Sequence, residues 1–265
     1  MGTSDHYVAA VKGAILSQHP EALIVDVSHC ISPFNNSHAA FVLRNAYPEF
    51  PKGSIHIIGV NPEGDAQTAH LVVRHAGHLF VGADNGIFSL LFDEPPQEIF
   101  ELTMKLDTDH LAFPTKNIFV KAACHLARGG TPEVIGRKVT TVREQINVRP
   151  VVTDEAIKGE VIHVDHYGNI VTNITRGLFE SMVKRGGFRI SFGRPMHDIK
   201  QVHRTYSDVP QGERVAFFGD SDHLEIAVNK GVTGAGGGAS QLLGLHVKDT
   251  VRLELEPVGR TVAHA

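Results

Sequence analysis

The pattern of apolar residues changes once along the chain, near residue 148, and this change constrains the fold more than any single motif. Before it, helical and strand periods alternate. Y-V-A-A-V-K-G-A-I-L carries Val8, Val11 and Ile15 at helical spacing; Ser4 or Asp5 can cap its start, and Pro20 lies just beyond its end. L-I-V-D-V (23–27) is expected as a buried strand and N-N-S-H-A-A-F-V-L-R-N-A (35–46) as a helix. S-I-H-I-I-G-V (54–60), L-V-V-R-H (71–75) and H-L-F-V-G-A (78–83) read as strands, and N-I-F-V-K-A-A-C-H-L-A-R-G-G (117–130) as a helix ending on glycines. Helices alternating with apolar strands indicate an α/β layer structure. After residue 148 come only short strands between glycine-containing turns: E-V-I-H-V-D, N-I-V-T-N-I, F-R-I-S-F, E-R-V-A-F-F, H-L-E-I-A-V and T-V-R-L-E-L. Their spacing suggests a small antiparallel barrel or sandwich. The expectation is an α/β N-terminal domain over 1–148, a linker over 149–158, and an all-β, barrel-like C-terminal domain over 159–265.

Composition narrows the function classes. The 265 residues are 42% hydrophobic, enough for ordinary cores, and carry a formal net charge of -4, which points to neither a nucleic-acid nor an anionic-membrane surface. No apolar run approaches the roughly 18 residues of a membrane helix, and no signal peptide precedes the first helix, so a cytoplasmic, soluble protein is expected. Cys30 and Cys124, the 2 cysteines, sit in apolar surroundings and read as buried thiols. Histidine is frequent, at 17, but His75/His78 and His163/His166 are three apart on expected strands, which puts the partners on opposite faces. No metal is expected.

Three stretches are candidate sites. The strand at 54–60 runs into V-N-P-E-G-D-A-Q-T (60–68), and strand ends of this kind often line ligand sites in α/β proteins. G-V-T-G-A-G-G-G-A-S (231–240) is glycine-rich but lacks the G-K-[ST] of a P-loop and reads as a flexible loop. In V-D-H-Y-G-N-I-V-T-N-I (164–174), Tyr167-Gly168-Asn169 makes a tight turn that presents Asp165 and Asn169 on either side of an aromatic ring. That is either a structural turn or a recognition corner pairing hydrogen bonds with a stacking surface, as nucleosides require.

Five pieces in order resemble one known family. They are G-T-S-D-H-Y-V-A-A-V-K-G-A-I-L, V-D-V-S-H-C-I-S-P-F, A-D-N-G-I-F-S, D-H-Y-G-N-I-V-T-N-I and L-E-I-A-V-N. Together they resemble the S-adenosylmethionine (SAM) hydroxide adenosyltransferases, relatives of the fluorinase and chlorinase. The resemblance implies an α/β domain and a β-barrel domain, a homotrimer that binds SAM between subunits, and attack of a nucleophile at C5′ of the ribose with methionine leaving. SAM is the substrate, and no cofactor is implied. Carried over by position, Asn169 meets the adenine edge and Tyr167 packs on the base, with Asp165 beside them. Ser221 (after a one-residue deletion) and Glu225 hold the methionine or adenine end, and the backbone near Val228 reaches the adenine. Asp5 and Tyr7 line the methionine end, and Phe34 and Phe113 wall the reaction centre.

The same alignment shows departures. Met1-Gly2 falls inside the family's opening T-D-F-G motif, so a truncated or misassigned start is expected. The family's D-P-G-V-G-T-x-R appears as N-P-E-G-D-A-Q-T, with Asn61 in place of the aspartate and Thr68 in place of the arginine. Its F-H-G-R-D appears as F-P-T-K-N (113–117), with Pro114 at the histidine position and Thr115 where the fluorinase places a halide-binding hydroxyl. Asn61, which can orient water by hydrogen bonds but cannot take its proton, and Thr115 are the candidate catalytic residues. The expected reaction is transfer of the 5′-adenosyl group to water, giving adenosine and L-methionine. The alternatives are a non-catalytic SAM- or adenosine-binding protein and a halide adenosyltransferase.

Overall fold

A computed structural model describes residues 1–65, 67–104, 112–184, 186–193, 195–232 and 237–256. The chain forms two compact units, Met1–Asn147 and Val148–Ala265.

The first unit has mixed α/β content. Helices α1 (Tyr7–Gln18) and α2 (Asn36–Ala46) precede β1 (Ile55–Ile58), β2 (His70–His75), β3 (His78–Ala83), α3 (Ile87–Leu91) and β4 (Glu98–Leu102). A single π-helical turn, Thr115–Phe119, runs into α4 (Val120–Ala127), followed by α5 (Pro132–Ile135) and β5 (Gly136–Val139). The five strands lie in the order β1-β3-β2-β4-β5, with β1 and β3 parallel and the other pairs antiparallel. Alternation along β2 divides the core. Leu71 and Val73 join Phe80, Phe88 and Leu43 on one side of the sheet; Val72 joins Val81, Phe100, Phe119 and Leu126 on the other. Burying one such side chain stabilises the fold by about 1.5–3 kcal/mol.

The second unit centres on an antiparallel sheet. Its elements are β6 (Val151–Val152), β7 (Ala156–Val164), β8 (Ile170–Thr175), α6 (Arg176–Val183), β9 (Phe188–Ser191), β10 (Arg214–Phe218), β11 (His223–Val228), α7 (Ala239–Leu243) and β12 (Thr250–Leu255). The path is β10-β11-β8-β7-β12-β9, with β6 beside β7. Besides its short pairing with β6, β7 serves two longer ladders: residues 156–160 pair with β12, and 161–164 pair with β8 with a register shift between Val161 and His163. A strand shared in this way curls the sheet into a half-barrel around Ile157, Val161, Ile170, Leu224, Ile226, Val251 and Leu253. The unit is not all-β, because α6 and α7 pack with this sheet.

Several expectations are corrected. Residues 23–27 form no ladder, and Leu23 is 92% exposed. A strand needs a neighbour to satisfy its backbone; β1 is the sheet edge, and Asp26 is tied to Lys12 (2.6 Å) and His29 (3.1 Å) instead. Cys30 is exposed, and only Cys124 is buried. His75 and His78 do not alternate along one strand. They face each other across a two-residue turn, Ala76-Gly77, whose φ angles of 49° and 82° make a tight hairpin. The segment read as a linker carries β6 and the start of β7. His6, without a side-chain bond, occupies the cap position of α1 in place of Ser4 or Asp5. Residues 233–236 of the glycine-rich stretch lie outside the described residues.

Candidate functional site

The loop after β1 is held from behind. Asn85, in the A-D-N-G turn, donates both amide hydrogens forward, to the carbonyls of Val60 (3.0 Å) and Asn61 (2.9 Å). Its own carbonyl accepts from Asn36 Nδ2 at 2.8 Å. Asn61 adopts φ 45°, a left-handed conformation that asparagine tolerates better than most residues. Its side-chain amide is not part of this anchor. Farther along, the Asp65 carboxylate accepts from the Gln67 N–H and the Thr68 hydroxyl, each at 3.0 Å, and from both terminal nitrogens of Arg143, also at 3.0 Å. Hydrogen bonding to Arg143, then to Gln67 and Thr68, holds its pKa below the usual carboxylate range. Thr68 is therefore spent on the loop itself, and the cation beside the loop comes from Arg143.

This loop borders an open cavity of about 600 Å³. Glu63, Asp65, Thr68, His70, Pro114 and Ile118 are among the residues that line it. His70, the first residue of β2, meets Phe119 edge-on with ring centroids 5.1 Å apart, and its Nε2 lies 3.1 Å from the Pro62 carbonyl. Burial lowers its pKa, partly offset by that carbonyl.

A second group gathers at the end of β1. Tyr7 stands edge-on to Phe113 with centroids 5.4 Å apart, and Phe113 also packs near Val11, Val120 and Cys124. Thr115 is 1% exposed, and its Oγ1 has no hydrogen-bond partner among the described residues. A side chain at Gly59 would stand 3.1 Å from both Cγ2 and Oγ1 of Thr115, so glycine lets this hydroxyl approach the strand end. The π-helical turn that begins at Thr115 is a local form common at functional sites. Two expected partners are not gathered here: Asp5 is exposed ahead of α1, and Phe34 is 80% exposed at φ 59°.

In the second unit, the turn at 165–169 is closed by its own side chains. Asp165 Oδ1 accepts from the backbone N–H of Tyr167 and Asn169, each at 2.8 Å, and Asp165 Oδ2 from Asn169 Nδ2 at 2.8 Å. Asn169 Nδ2 also donates to Tyr206 Oη at 3.4 Å. Asn169 is 4% exposed, and its two amide hydrogens go to Asp165 and Tyr206, which leaves its oxygen as the remaining group. Tyr167 is more than half exposed, with the His166 ring edge-on to it at 5.6 Å. Glu225, on β11, lies under Gly219, where any Cβ would collide with its carboxyl. Burial first, then Asp165 and Asp220, push its pKa up to about 7. Burial first, then Glu225, Asp165 and Asp220, push Tyr206 up to about 12. Ser221 has a buried Oγ without a partner among the described residues, and its carbonyl takes His223 Nδ1 at 2.6 Å. Val228 is core.

The structure thus joins Asp165, Asn169 and Glu225 in one acidic group and Tyr7, Phe113 and Thr115 in another, apolar one. It adds His70, Arg143, Tyr206 and Asp220, which the sequence reading did not single out. Only His70 carried a signal there, as a polar residue opening an otherwise apolar run. Among the described residues, no group of three or more potential ligands could hold a metal ion, and no helix is long and apolar enough to cross a membrane.

Comparison with known proteins identifies the family. Residues 1–136 match the SAM hydroxide adenosyltransferase N-terminal domain, and residues 159–252 match the C-terminal domain of that family. A protein of Thermus thermophilus named (R)-S-adenosyl-L-methionine hydrolase is 33% identical, with 95% of this chain and 96% of the relative covered. A Salinispora tropica protein of the same name is 30% identical over 95% and 94%. A fluorinase of Nocardia brasiliensis is 23% identical over 86% and 88%. The crystal structure of an uncharacterized conserved protein from Thermotoga maritima superposes with a TM-score of 0.83 at 30% identity, covering 95% of this chain and 96% of that one. The chain belongs to the SAM hydroxide adenosyltransferase family.

Proposed function

We propose that the protein hydrolyses SAM to adenosine and L-methionine by in-line attack of water at C5′. The observation that carries this reading is near full-length similarity, at 33% identity, to a protein named as that hydrolase. The chemistry is undemanding of the protein. The sulfonium leaves as a neutral thioether, so catalysis rests on aligning water, C5′ and sulfur and on excluding bulk solvent. The acidic group of Asp165, Asp220 and Glu225 suits a cationic substrate, and the unpaired Thr115 hydroxyl suits a polar atom in an otherwise apolar wall.

The proposal extends to a cytoplasmic homotrimer with SAM held between subunits, the half-barrel serving as the family's barrel domain. It requires no cofactor. Asn61 and Thr115 orient the nucleophile, while Asp5, Tyr7, Phe34 and Phe113 and then Asp165, Tyr167, Asn169, Ser221, Glu225 and Val228 hold the substrate.

Incubation with SAM in ¹⁸O-water tests it. The expected products are methionine and adenosine carrying ¹⁸O in the 5′-hydroxyl. SAM bound in calorimetry without turnover would instead identify a binding protein. A 5′-halo-5′-deoxyadenosine formed in chloride or fluoride buffer would identify a halide transferase.

A further inference from the structure

We propose that His70 is the catalytic base that takes the proton of the attacking water. The inference rests on the hydrolase reading above. It starts from a tautomer. His70 Nε2 lies 3.1 Å from the Pro62 carbonyl, and a carbonyl oxygen can only accept, so Nε2 carries the ring proton. Burial favours the neutral ring, and with the proton on Nε2 it is Nδ1 that carries the basic lone pair.

The other polar groups of the cavity are engaged or lie open to solvent. Asp65 is held by Arg143, Gln67 and Thr68, all of which favour its ionised, weakly basic form. The Thr68 hydroxyl donates to Asp65. Glu63 is exposed, where water solvates its carboxylate. The end of β4 and the turn before α4 contribute apolar side chains, Leu102, Met104, Pro114 and Ile118. His70 is therefore the one neutral base among the described residues facing this cavity. It is also well anchored: one ring nitrogen is bonded to the loop that follows β1, and the ring rests edge-on against Phe119. This geometry provides a base where the loop residues Asn61 and Thr68 supply none.

In the step, the water oxygen bonds to C5′ as the C5′–S bond breaks. The bonding pair goes to sulfur, giving the methionine thioether. The water proton passes to His70 Nδ1 and from there to solvent. General-base catalysis of this kind is worth roughly 100- to 10,000-fold.

The test compares the wild-type protein with His70→Gln and His70→Ala. Glutamine keeps an N–H for the Pro62 carbonyl but cannot accept the proton at neutral pH, so it separates chemistry from loop structure. Both variants are expected to bind SAM by calorimetry like wild type and to lose roughly 100-fold in kcat, with added imidazole restoring part of the rate to His70→Ala. Wild-type kcat should rise with pH through a value below 6.5 and then level off, and this limb should vanish in His70→Gln. Turnover in His70→Gln within about twofold of wild type, with the acid limb intact, overturns the role of His70 while leaving hydrolysis in place. Absence of adenosine from wild type with SAM bound overturns the hydrolase reading, and the base with it.

Discussion

At the scale of single residues, polar side chains divide into those already spent and those left open. Asn85 uses both amide hydrogens to pin the carbonyls of Val60 and Asn61, and Asn169 uses its own on Asp165 and Tyr206. Thr115 is the opposite case, since its buried Oγ1 has no partner among the described residues. A buried hydroxyl without a partner costs about 1–3 kcal/mol, which a fold tolerates best where the group serves a ligand. Thr115→Val keeps the shape and removes that hydroxyl. The expected result is a melting temperature equal to or above wild type, by about 1 kcal/mol in stability, together with a fall in turnover. A destabilised but fully active variant would show that the hydroxyl serves the fold instead. None of this is visible in the sequence, where Thr115 is one hydroxyl among many and Asn169 looks free to meet a base.

At the scale of elements, the β2–β3 hairpin illustrates how a turn overrides spacing. The Ala76-Gly77 turn sets His75 opposite His78, and β1 brings His56 alongside, with Nε2 of His56 3.3 Å from Nδ1 of His78. Tyr47, Phe80 and Phe92 surround them. Burial first, then His78, lowers His56 to about 4, and burial lowers His75 and His78 as well. An unfolded histidine titrates near 6.5, so between pH 6.5 and 4 the unfolded chain binds more protons than the folded one. The His56 contribution is thus complete above pH 6.5 and lost as pH falls to about 4, on the order of 3 kcal/mol. Thermal melts across this range should show a steep fall in stability for wild type and a shallower one for His56→Phe. Equal slopes would place the acid sensitivity elsewhere. The strands of this hairpin were legible from apolar runs, but the facing of its histidines was not, because it depends on a turn whose φ angles no periodicity reports.

At the scale of the whole molecule, the first of two compact units carries the cavity group around His70 and the apolar group around Thr115, and the second carries the acidic group around Glu225. If the proposed homotrimer is correct, sedimentation should give three times the chain mass of 28.8 kDa, independent of concentration over the range in which SAM is turned over. A monomer that turns over SAM at full rate would remove the trimer from the proposal. The sequence by itself determined the division near residue 148, most strands and helices α1, α2 and α4, and the family, because each rests on local periodicity or on short motifs in order. Tertiary structure alone decided that residues 23–27 lie outside any sheet, since a strand exists only beside a partner. It also decided that the guanidinium beside the 60–68 loop comes from Arg143, 78 residues away from Asp65, and that His70 Nε2 is tied to the Pro62 carbonyl. Charge pairing, tautomer and burial are set by neighbours in space. The loop at 60–68, a strand end with its charged groups exchanged, is completed by residues that no alignment of the loop itself contains.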